Sequence, residues 1–95
     1  MTDQIDIRIR SWVRGTDAEI RTGLLGYLSV LYGDLVIDGL VLRRTAAGRL
    51  TLSYPSRSDR AGRRHFVVRP DGDEARRRIE RAVFSQATVA EAVEP

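Results

Sequence analysis

Hydrophobic and polar positions alternate at the start of the chain, a pattern typical of a strand with one buried face. Ile5, Ile7 and Ile9 alternate with charged residues. Val13 continues the same parity, so we expect all four side chains to face a core. Trp12 lies on the opposite parity, beside arginines. The pattern leaves two roles open for this residue: cover of a sheet edge or subunit contact, or a stacking platform for a base.

Two nearly continuous apolar segments follow, after a polar connection at Gly15–Gly23 that is too short to predict a helix. The segments, Leu24–Tyr32 and Leu35–Leu42, are joined by a Gly-Asp dipeptide, which is typical of a tight β-hairpin. Such apolar runs predict central strands covered on both faces, by a helix and by a partner subunit. Gly26 and Gly39 inside them indicate a bulge or a close backbone approach.

The second half of the chain predicts two further strands around a basic loop. The runs Leu50–Tyr54 and His65–Val68 are short and apolar, and Pro55–Arg64 between them contains turn-forming residues. A strand, a polar loop and a returning strand is the natural interpretation. Because Asp59 is the only acid in this loop, we expect that local pairing cannot neutralise its arginines. Those arginines are Arg57, Arg60, Arg63 and Arg64.

A helix is predicted to follow Pro70. Asp71 is a candidate N-cap, and Glu74 three residues later is the returning carboxylate of a capping box. Apolar residues at i, i+4, i+7 and i+8 form one stripe that would pack on the sheet. The stripe consists of Ala75, Ile79, Ala82 and Val83.

The outer face of this helix is basic and carries Arg77 and Arg81. The pairs Asp73–Arg77 and Glu74–Arg78 have the favourable i,i+4 polarity, and each would contribute about 0.2–0.5 kcal/mol. Arg81 has no acid four positions away on either side. It is therefore the helix arginine that we expect to be most available to an outside partner.

Together these elements predict one small α+β domain over residues 1–86, with a frayed tail over residues 87–95. Its architecture would be a five-stranded antiparallel sheet with one C-terminal helix. A chain of 95 residues forms only a modest core, so burial through self-association favours a homodimer. No apolar run approaches the roughly 20 residues that span a membrane, and the N-terminus lacks the apolar core of a signal peptide. We therefore expect a cytoplasmic protein without membrane insertion.

The composition excludes most catalytic chemistry. Cysteine is absent, which removes disulfides, cysteine nucleophiles and thiolate metal sites. His65 is the only histidine and has no second histidine or paired carboxylate near it in the sequence. No phosphate-cradling glycine motif, zinc-protease motif or nucleophile elbow is present. We expect a protein that is not an enzyme and needs no metal or cofactor.

Positive charge is concentrated in one stretch of the chain. All sixteen basic residues are arginine, a bias typical of a GC-rich genome, so their number alone says little about function. Their distribution is more informative, because residues 43–81 carry a net charge of +7 and the stretches on either side carry −2 each. Such segregation is typical of anion-binding proteins. A solvated charged face is the alternative.

Arginine forks suit phosphate oxygens and the edges of guanine bases. The aromatic residues Trp12, Tyr54 and Phe66 are not grouped in the way that a single-strand binder requires. Contacts to duplex DNA or structured RNA are therefore favoured over base stacking.

One order of segments runs through almost the whole chain, from about Asp6 to Phe84: DIRIR, GLLGYLSVLYGDLVIDGLVLRR, AAGRL, YPSR, G-x-x-H-x-x-V-R-P and RRRIERAVF. This order resembles the SpoVG family, the stage V sporulation protein G or septation-regulator family. The most specific part is Pro-Ser-Arg after a strand, followed by a basic glycine-containing loop and a strand that ends in proline.

The resemblance implies a small homodimer that binds DNA, and also RNA, as a regulator linked to septation and sporulation. It implies nucleic-acid contacts from the basic loop and the C-terminal helix, at Arg57, Arg60, Arg63, Arg64, Arg77 and Arg81. The chain departs from many members at Asp38-Gly39, where they have His-Asp, and at Arg69, where they have histidine. Sequence preference is therefore not transferred. The alternative is a non-enzymatic protein-interaction module of the cell-division machinery.

Overall fold

The computed structural model describes residues 6–86 and 88–89. Within them, β1 to β4 form one antiparallel sheet in sequential order, and β5 and β6 form a separate two-stranded sheet. The elements in chain order are β1 (Ile7–Arg14), α1 (Asp17–Arg21), β2 (Leu24–Tyr32), β3 (Leu35–Arg44), β4 (Leu50–Ser53), β5 (Ser56–Ser58), β6 (Arg64–Phe66) and α2 (Asp73–Phe84).

The predicted small α+β domain with an antiparallel sheet and a C-terminal helix is confirmed, but the prediction of one five-stranded sheet is wrong. Strand β4 ends at Ser53, and the polar segment beyond it folds back on itself instead of returning to the sheet. The amide of Val67 donates to the carbonyl of Pro55 at 2.9 Å, which closes the base of this β5–β6 hairpin. Part of the predicted basic loop is therefore strand β5.

A β-bulge in β1 reverses the alternation that the sequence suggests. The register with β2 shifts between Ile9 and Ser11, and one extra residue moves all later side chains to the other face. Trp12 consequently packs against the core, whereas Val13 is 62% exposed. The expectation that Val13 faces the core is wrong, and Trp12 covers the core rather than offering a platform for a base. Ile5 lies outside the described residues.

Both glycines inside the central hairpin have the predicted roles. A Cβ atom on Gly26 would lie 2.4 Å from the Trp12 ring, so the ring packs where only glycine leaves room. Gly39 has a φ of +84° and lies where the β2–β3 register shifts. This conformation favours glycine, as expected at a bulge.

The polar connection Gly15–Gly23, for which the sequence predicts no helix, contains helix α1. Thr16 Oγ1 accepts a hydrogen bond from the Glu19 amide at 3.1 Å, and Glu19 Oε1 accepts one from the Thr16 amide at 2.9 Å. These reciprocal bonds are a capping box, which can stabilise even a helix of five residues. Tyr27 Oη donates to the other oxygen of the Glu19 carboxylate and ties α1 to β2.

The predicted capping box of α2 is wrong. Gly72 is the N-cap, and no side chain caps the helix, because the helix begins one residue later than a cap at Asp71 requires. The ion pair within α2 joins Arg76 and Glu80 at 3.6 Å, not the predicted Asp73–Arg77 and Glu74–Arg78 pairs. The apolar stripe does face the sheet, since Val83 is fully buried.

The core lies between α2 and one face of the four-stranded sheet. Its buried residues are Ile7, Leu28, Val30, Leu40, Leu42, Leu52, Val83 and Val89. Of the predicted frayed tail, only Thr88 and Val89 are described, and the rest lies outside the described residues.

Glu80 of α2 and Gln86, two residues beyond the end of α2, bind backbone groups on the two edge strands of this sheet. Glu80 Oε2 accepts from the Leu52 amide in β4 at 3.1 Å. The Gln86 carboxamide accepts from the Ile9 amide in β1 at 2.9 Å and donates to the Ile7 carbonyl at 3.0 Å. Covering edges in this way prevents them from pairing with another chain.

The opposite face of the sheet carries exposed apolar side chains. Val13, Tyr27 and Val41 are cross-strand partners in one row, and Val13 and Tyr27 are 62% and 39% exposed. Val36 on the same face is 42% exposed.

Among the described residues, no helix has the length and apolarity needed to cross a membrane.

Candidate nucleic-acid interface

The turn of the β5–β6 hairpin is built around Asp59. Its amide donates to the Arg63 carbonyl at 2.8 Å, and its carbonyl accepts from the Gly62 amide at 3.0 Å. Its Oδ1 atom accepts from the amides of Ala61 at 2.9 Å and Arg63 at 2.8 Å. One carboxylate thus replaces the missing hydrophobic packing in ordering this exposed turn.

The second oxygen of the Asp59 carboxylate contacts two basic side chains. His65 Nε2 lies 2.8 Å from Oδ2, and Arg63 Nε lies 3.3 Å from it. The hydrogen bond from His65, followed by that from the Arg63 amide, lowers the pKa of Asp59 below its ordinary value. This carboxylate partner of His65 is not evident in the sequence, because only the hairpin turn brings together two residues that are six positions apart.

Local pairing therefore engages one of the four loop arginines, Arg63, and the loop keeps a net positive charge. Arg57 lies on β5 directly opposite His65, and Arg60 lies in the turn. Both are exposed, and within the described part of the chain neither forms an ion pair. Together they form the hairpin tip, whose positive charge has no local compensation.

Arg64 is held on the other face of the hairpin. Its Nε atom donates to Ser56 Oγ at 2.8 Å, and its guanidinium lies 5.7 Å from the centre of the Phe66 ring. The cross-strand pairs Ser56–Phe66 and Ser58–Arg64 place these side chains on one face. The side chains of Arg57 and His65 lie on the opposite face of the hairpin. The hairpin thus divides its predicted contact residues between two surfaces.

Two adjoining cavities follow the seam between β4 and α2, and we call them together the arginine trough. The first, of about 500 Å³, is lined by Arg64, Arg69 and Arg76. The second, of about 530 Å³, is lined by Arg49, Arg76 and Arg77. Arg76, Thr51 and Asp73 line both cavities.

The predicted site residues therefore do not form a single site. Arg64 and Arg77 line the arginine trough, Arg57 and Arg60 form the hairpin tip, Arg63 pairs with Asp59, and Arg81 is exposed on α2. Sequence reasoning missed three lining residues of the trough. These are Arg49, Arg69 and Arg76, and the only signal for them was the net charge of residues 43–81.

Positive charge predominates in the arginine trough after its internal contacts are counted. Glu80 Oε2 accepts from the Thr51 hydroxyl and lies 3.6 Å from Arg76 Nε, in addition to its bond with β4. Arg76 Nη2 also donates to Thr51 Oγ1 at 3.0 Å. Arg49 and Arg69 form no ion pair within the described part of the chain. Asp73 is the other acid that lines the trough.

The trough also brings together two aromatic residues that appear separate in the sequence. Tyr54 and Phe66 both line its first cavity, and 53% of Phe66 is exposed. The Tyr54 hydroxyl is buried and has no hydrogen-bond partner among the described residues. Burial, and secondarily the charge of Glu80, raises the pKa of Tyr54 to about 12, so this hydroxyl stays protonated at neutral pH.

The fold and its surface define a small α+β domain with a protruding basic hairpin and an arginine-lined trough. Within residues 6–86 and 88–89, no group of three or more His, Asp or Glu side chains is placed to hold a metal ion. No family model matches this chain, and a search of curated proteins finds no match. Membership of the SpoVG family therefore stays a prediction that rests on the order of segments.

Proposed function

We propose that this protein is a nucleic-acid-binding regulator of the SpoVG type, which binds DNA or RNA through phosphate contacts. The observation that carries the proposal is the pair of exposed arginines at the hairpin tip, Arg57 and Arg60, which form no ion pair with any described residue. Arg57 lies on strand β5 of the two-stranded ribbon and Arg60 lies in its turn, and both side chains are exposed. A ribbon of this kind fits the major groove of duplex DNA.

Further support comes from the resemblance, which places nucleic-acid contacts at the same arginines and at Arg77 and Arg81 of α2. Binding would release counterions from the phosphate backbone, and the affinity would depend strongly on salt. Arg63 would contribute less than Arg57 or Arg60, because its guanidinium already lies beside the ionised Asp59. Links to septation and sporulation rest on the resemblance alone.

A salt titration of binding to duplex DNA, single-stranded DNA and RNA tests the proposal. For duplex DNA, the logarithm of the binding constant should fall with the logarithm of salt concentration by about 0.9 for each neutralised phosphate. The double substitution Arg57→Ala and Arg60→Ala should weaken binding and flatten the slope by roughly one unit per lost contact. Arg8→Ala together with Arg21→Ala is the matched control, since both arginines are exposed and lie away from the hairpin. Unchanged binding by the hairpin variant would refute the assignment of this surface.

We further propose that the protein is a homodimer, and that the exposed apolar face of the sheet contacts the second copy. The row of Val13, Tyr27 and Val41 supports this arrangement, because a domain of this size gains stability by burying such a face. Sedimentation of the purified protein should give the mass of two chains. Val13→Asp should give the mass of one chain with the fold retained, and a monomeric wild type would overturn the proposal.

The same apolar face favours a second candidate function, a protein-interaction module of the cell-division machinery without nucleic-acid binding. This candidate predicts no saturable binding to any nucleic acid at about 150 mM salt, where surface charges are screened beyond about 8 Å. It also predicts that Val13→Asp abolishes recovery of a protein partner, while the hairpin-tip double substitution leaves that recovery unchanged.

A further inference from the structure

The arginine trough is a concave site, and its shape differs from that of the hairpin tip. Each of its two cavities, about 500 and 530 Å³, lies within the range of about 300–1,000 Å³ that is typical of sites for small ligands. A duplex presents its phosphates on a convex surface and keeps its bases stacked inside. An unpaired nucleotide, by contrast, can enter a cavity of this size with both its phosphate and its base.

The charges of the trough suit phosphate groups at two successive positions. Arg69 and Arg76 line the first cavity, and Arg49 and Arg77 line the second together with Arg76. Glu80 is paired with Arg76, and the other lining acid is Asp73, which lines both cavities, so the five lining arginines outnumber the two lining acids. Because the cavities adjoin along one seam, consecutive phosphates of one strand would each meet an arginine.

The first cavity also offers an aromatic surface beside these charges. Phe66 is half exposed there, and Arg64 lies against its ring. A base that stacks on an exposed aromatic ring gains free energy without regard to its identity, and an adjacent guanidinium strengthens the contact. In the interior of a duplex, both faces of each base are covered by the neighbouring base pairs, so such a base cannot stack on Phe66.

We propose that the arginine trough binds a single-stranded segment of nucleic acid, with its phosphates on Arg69 and Arg49 and a base stacked on Phe66. This inference rests on the proposed function and specifies its ligand as unpaired nucleotides. It assigns a role to two arginines, Arg49 and Arg69, that lie outside the hairpin tip and the outer face of α2. Under this proposal, the hairpin tip contacts duplex DNA and the trough contacts single-stranded nucleic acid.

Fluorescence anisotropy of the full chain tests this division with two labelled probes, a thymidine homopolymer of about ten nucleotides and a blunt duplex of the same length. Phe66→Ala should weaken binding of the single strand by roughly five- to a hundred-fold and leave binding of the duplex within about twofold. Val67→Ala is the matched control, because Val67 is 60% exposed but does not line the trough. It should change neither affinity.

Arg69→Ala tests the phosphate contact. It should weaken single-strand binding and reduce the salt slope for that probe by about 0.7, whereas Arg8→Ala, with the same change in charge, should leave both unchanged. Unlabelled poly-glutamate is anionic but has no bases, and it should compete far less well than the unlabelled homopolymer. Thermal melting of each variant establishes that it is folded.

The possible results separate the two proposals. If Phe66→Ala has no effect on the single strand, or weakens both probes equally, the trough is not a site for unpaired nucleotides, although the proposed function stands. Equal competition by poly-glutamate would likewise reduce the trough to a general anion surface and overturn the inference. If the wild-type protein shows no saturable binding to either probe, the proposed function fails, and the inference fails with it.

Discussion

The packed unit of sheet and α2 and the β5–β6 hairpin are held together by different interactions. In the packed unit, Val30, Leu42 and Val83 are fully buried. In the hairpin, every residue of β6 is exposed, and the turn is ordered by hydrogen bonds to Asp59. The first region gains its stability from removing apolar surface from water. The second relies on polar contacts that remain in water, where each is worth little.

This difference between the two regions explains why the positive charge lies on the hairpin and along its border with the packed unit. A residue in the packed unit is constrained by its neighbours, because interiors are close-packed and tolerate few changes. The hairpin packs against little, so its side chains are free to meet an outside partner. The arginine trough lies at the border of the two regions, with arginines from the hairpin side on one flank and from α2 on the other.

The largest expected effect is in the packed unit. Leu42→Ala should lower the free energy of unfolding by about 2–5 kcal/mol, because it removes a fully buried side chain and leaves a cavity. Phe66→Ala in the hairpin removes more atoms but should cost less than about 1 kcal/mol, since half of that side chain is already exposed. Urea denaturation of the two variants measures the difference. Equal losses would mean that the hairpin packs as part of the core.

A smaller change, an increase in stability, is expected at Tyr54, which lies between the hairpin and the packed unit. Tyr54→Phe keeps the ring and removes a buried hydroxyl that has no partner, so it should raise the free energy of unfolding by about 1 kcal/mol. The raised pKa adds a pH dependence with a definite sign. An unfolded tyrosine has its ordinary pKa of 10.0, whereas burial raises the pKa of folded Tyr54 to about 12. The stability of wild type is therefore fully present below pH 10.0 and falls as pH rises towards about 12, and Tyr54→Phe lacks this loss.

Urea denaturation of wild type and Tyr54→Phe, at neutral pH and in this alkaline window, checks both statements. The comparison between the two proteins removes the contribution of the other tyrosines. A variant that is less stable than wild type at neutral pH would show that the hydroxyl has a stabilising partner.

The smallest global effect is expected at Asp59, where the change should be local. Asp59→Ala removes the acceptor for two backbone amides and the partner of His65. Amide hydrogens of residues 61–63 should lose protection from exchange, while those of the central strands keep theirs. Asp59→Asn retains an acceptor oxygen but not the charge. Protection of the same amides in this variant should be intermediate between that in Asp59→Ala and that in wild type.

Lowering the pH should have the same local effect on the hairpin turn as Asp59→Ala. The pKa of this carboxyl is lowered in the folded hairpin, so its stabilising contribution is present above its ordinary value and is lost as pH falls through the lowered one. The amide signals of Ala61 and Arg63, followed by NMR during an acid titration, report this loss. A transition that spread at once to the central strands would mean that the hairpin and the packed unit unfold together.

Sequence patterns predicted the elements of the packed unit well, and two of their errors concern how strands align and pair. The bulge before Ser11 was not predictable, because it depends on how β1 aligns with β2. Helix α1 was missed although its capping box, Thr16-x-x-Glu19, is visible in the sequence. The prediction that a fifth strand joins the main sheet was wrong, because an apolar run indicates a strand but does not indicate which strand it pairs with.

The candidate site was predictable only in part. The hairpin tip follows from consecutive residues, so Arg57 and Arg60 could be chosen from the sequence. The arginine trough could not, because Arg49, Arg69 and Arg76 become neighbours only when α2 docks beside β4. The pairing of Asp59 with His65 was hidden for a similar reason, since only the hairpin turn brings them into contact.

The sequence by itself determined which segments are buried and where the positive charge is concentrated, because hydrophobic periodicity and charge are properties of consecutive residues. The tertiary structure alone decided the register of β1, the separation of the hairpin from the main sheet, and the assembly of the trough. These depend on contacts between residues far apart in the chain, and their free energies are realised only once the core has formed.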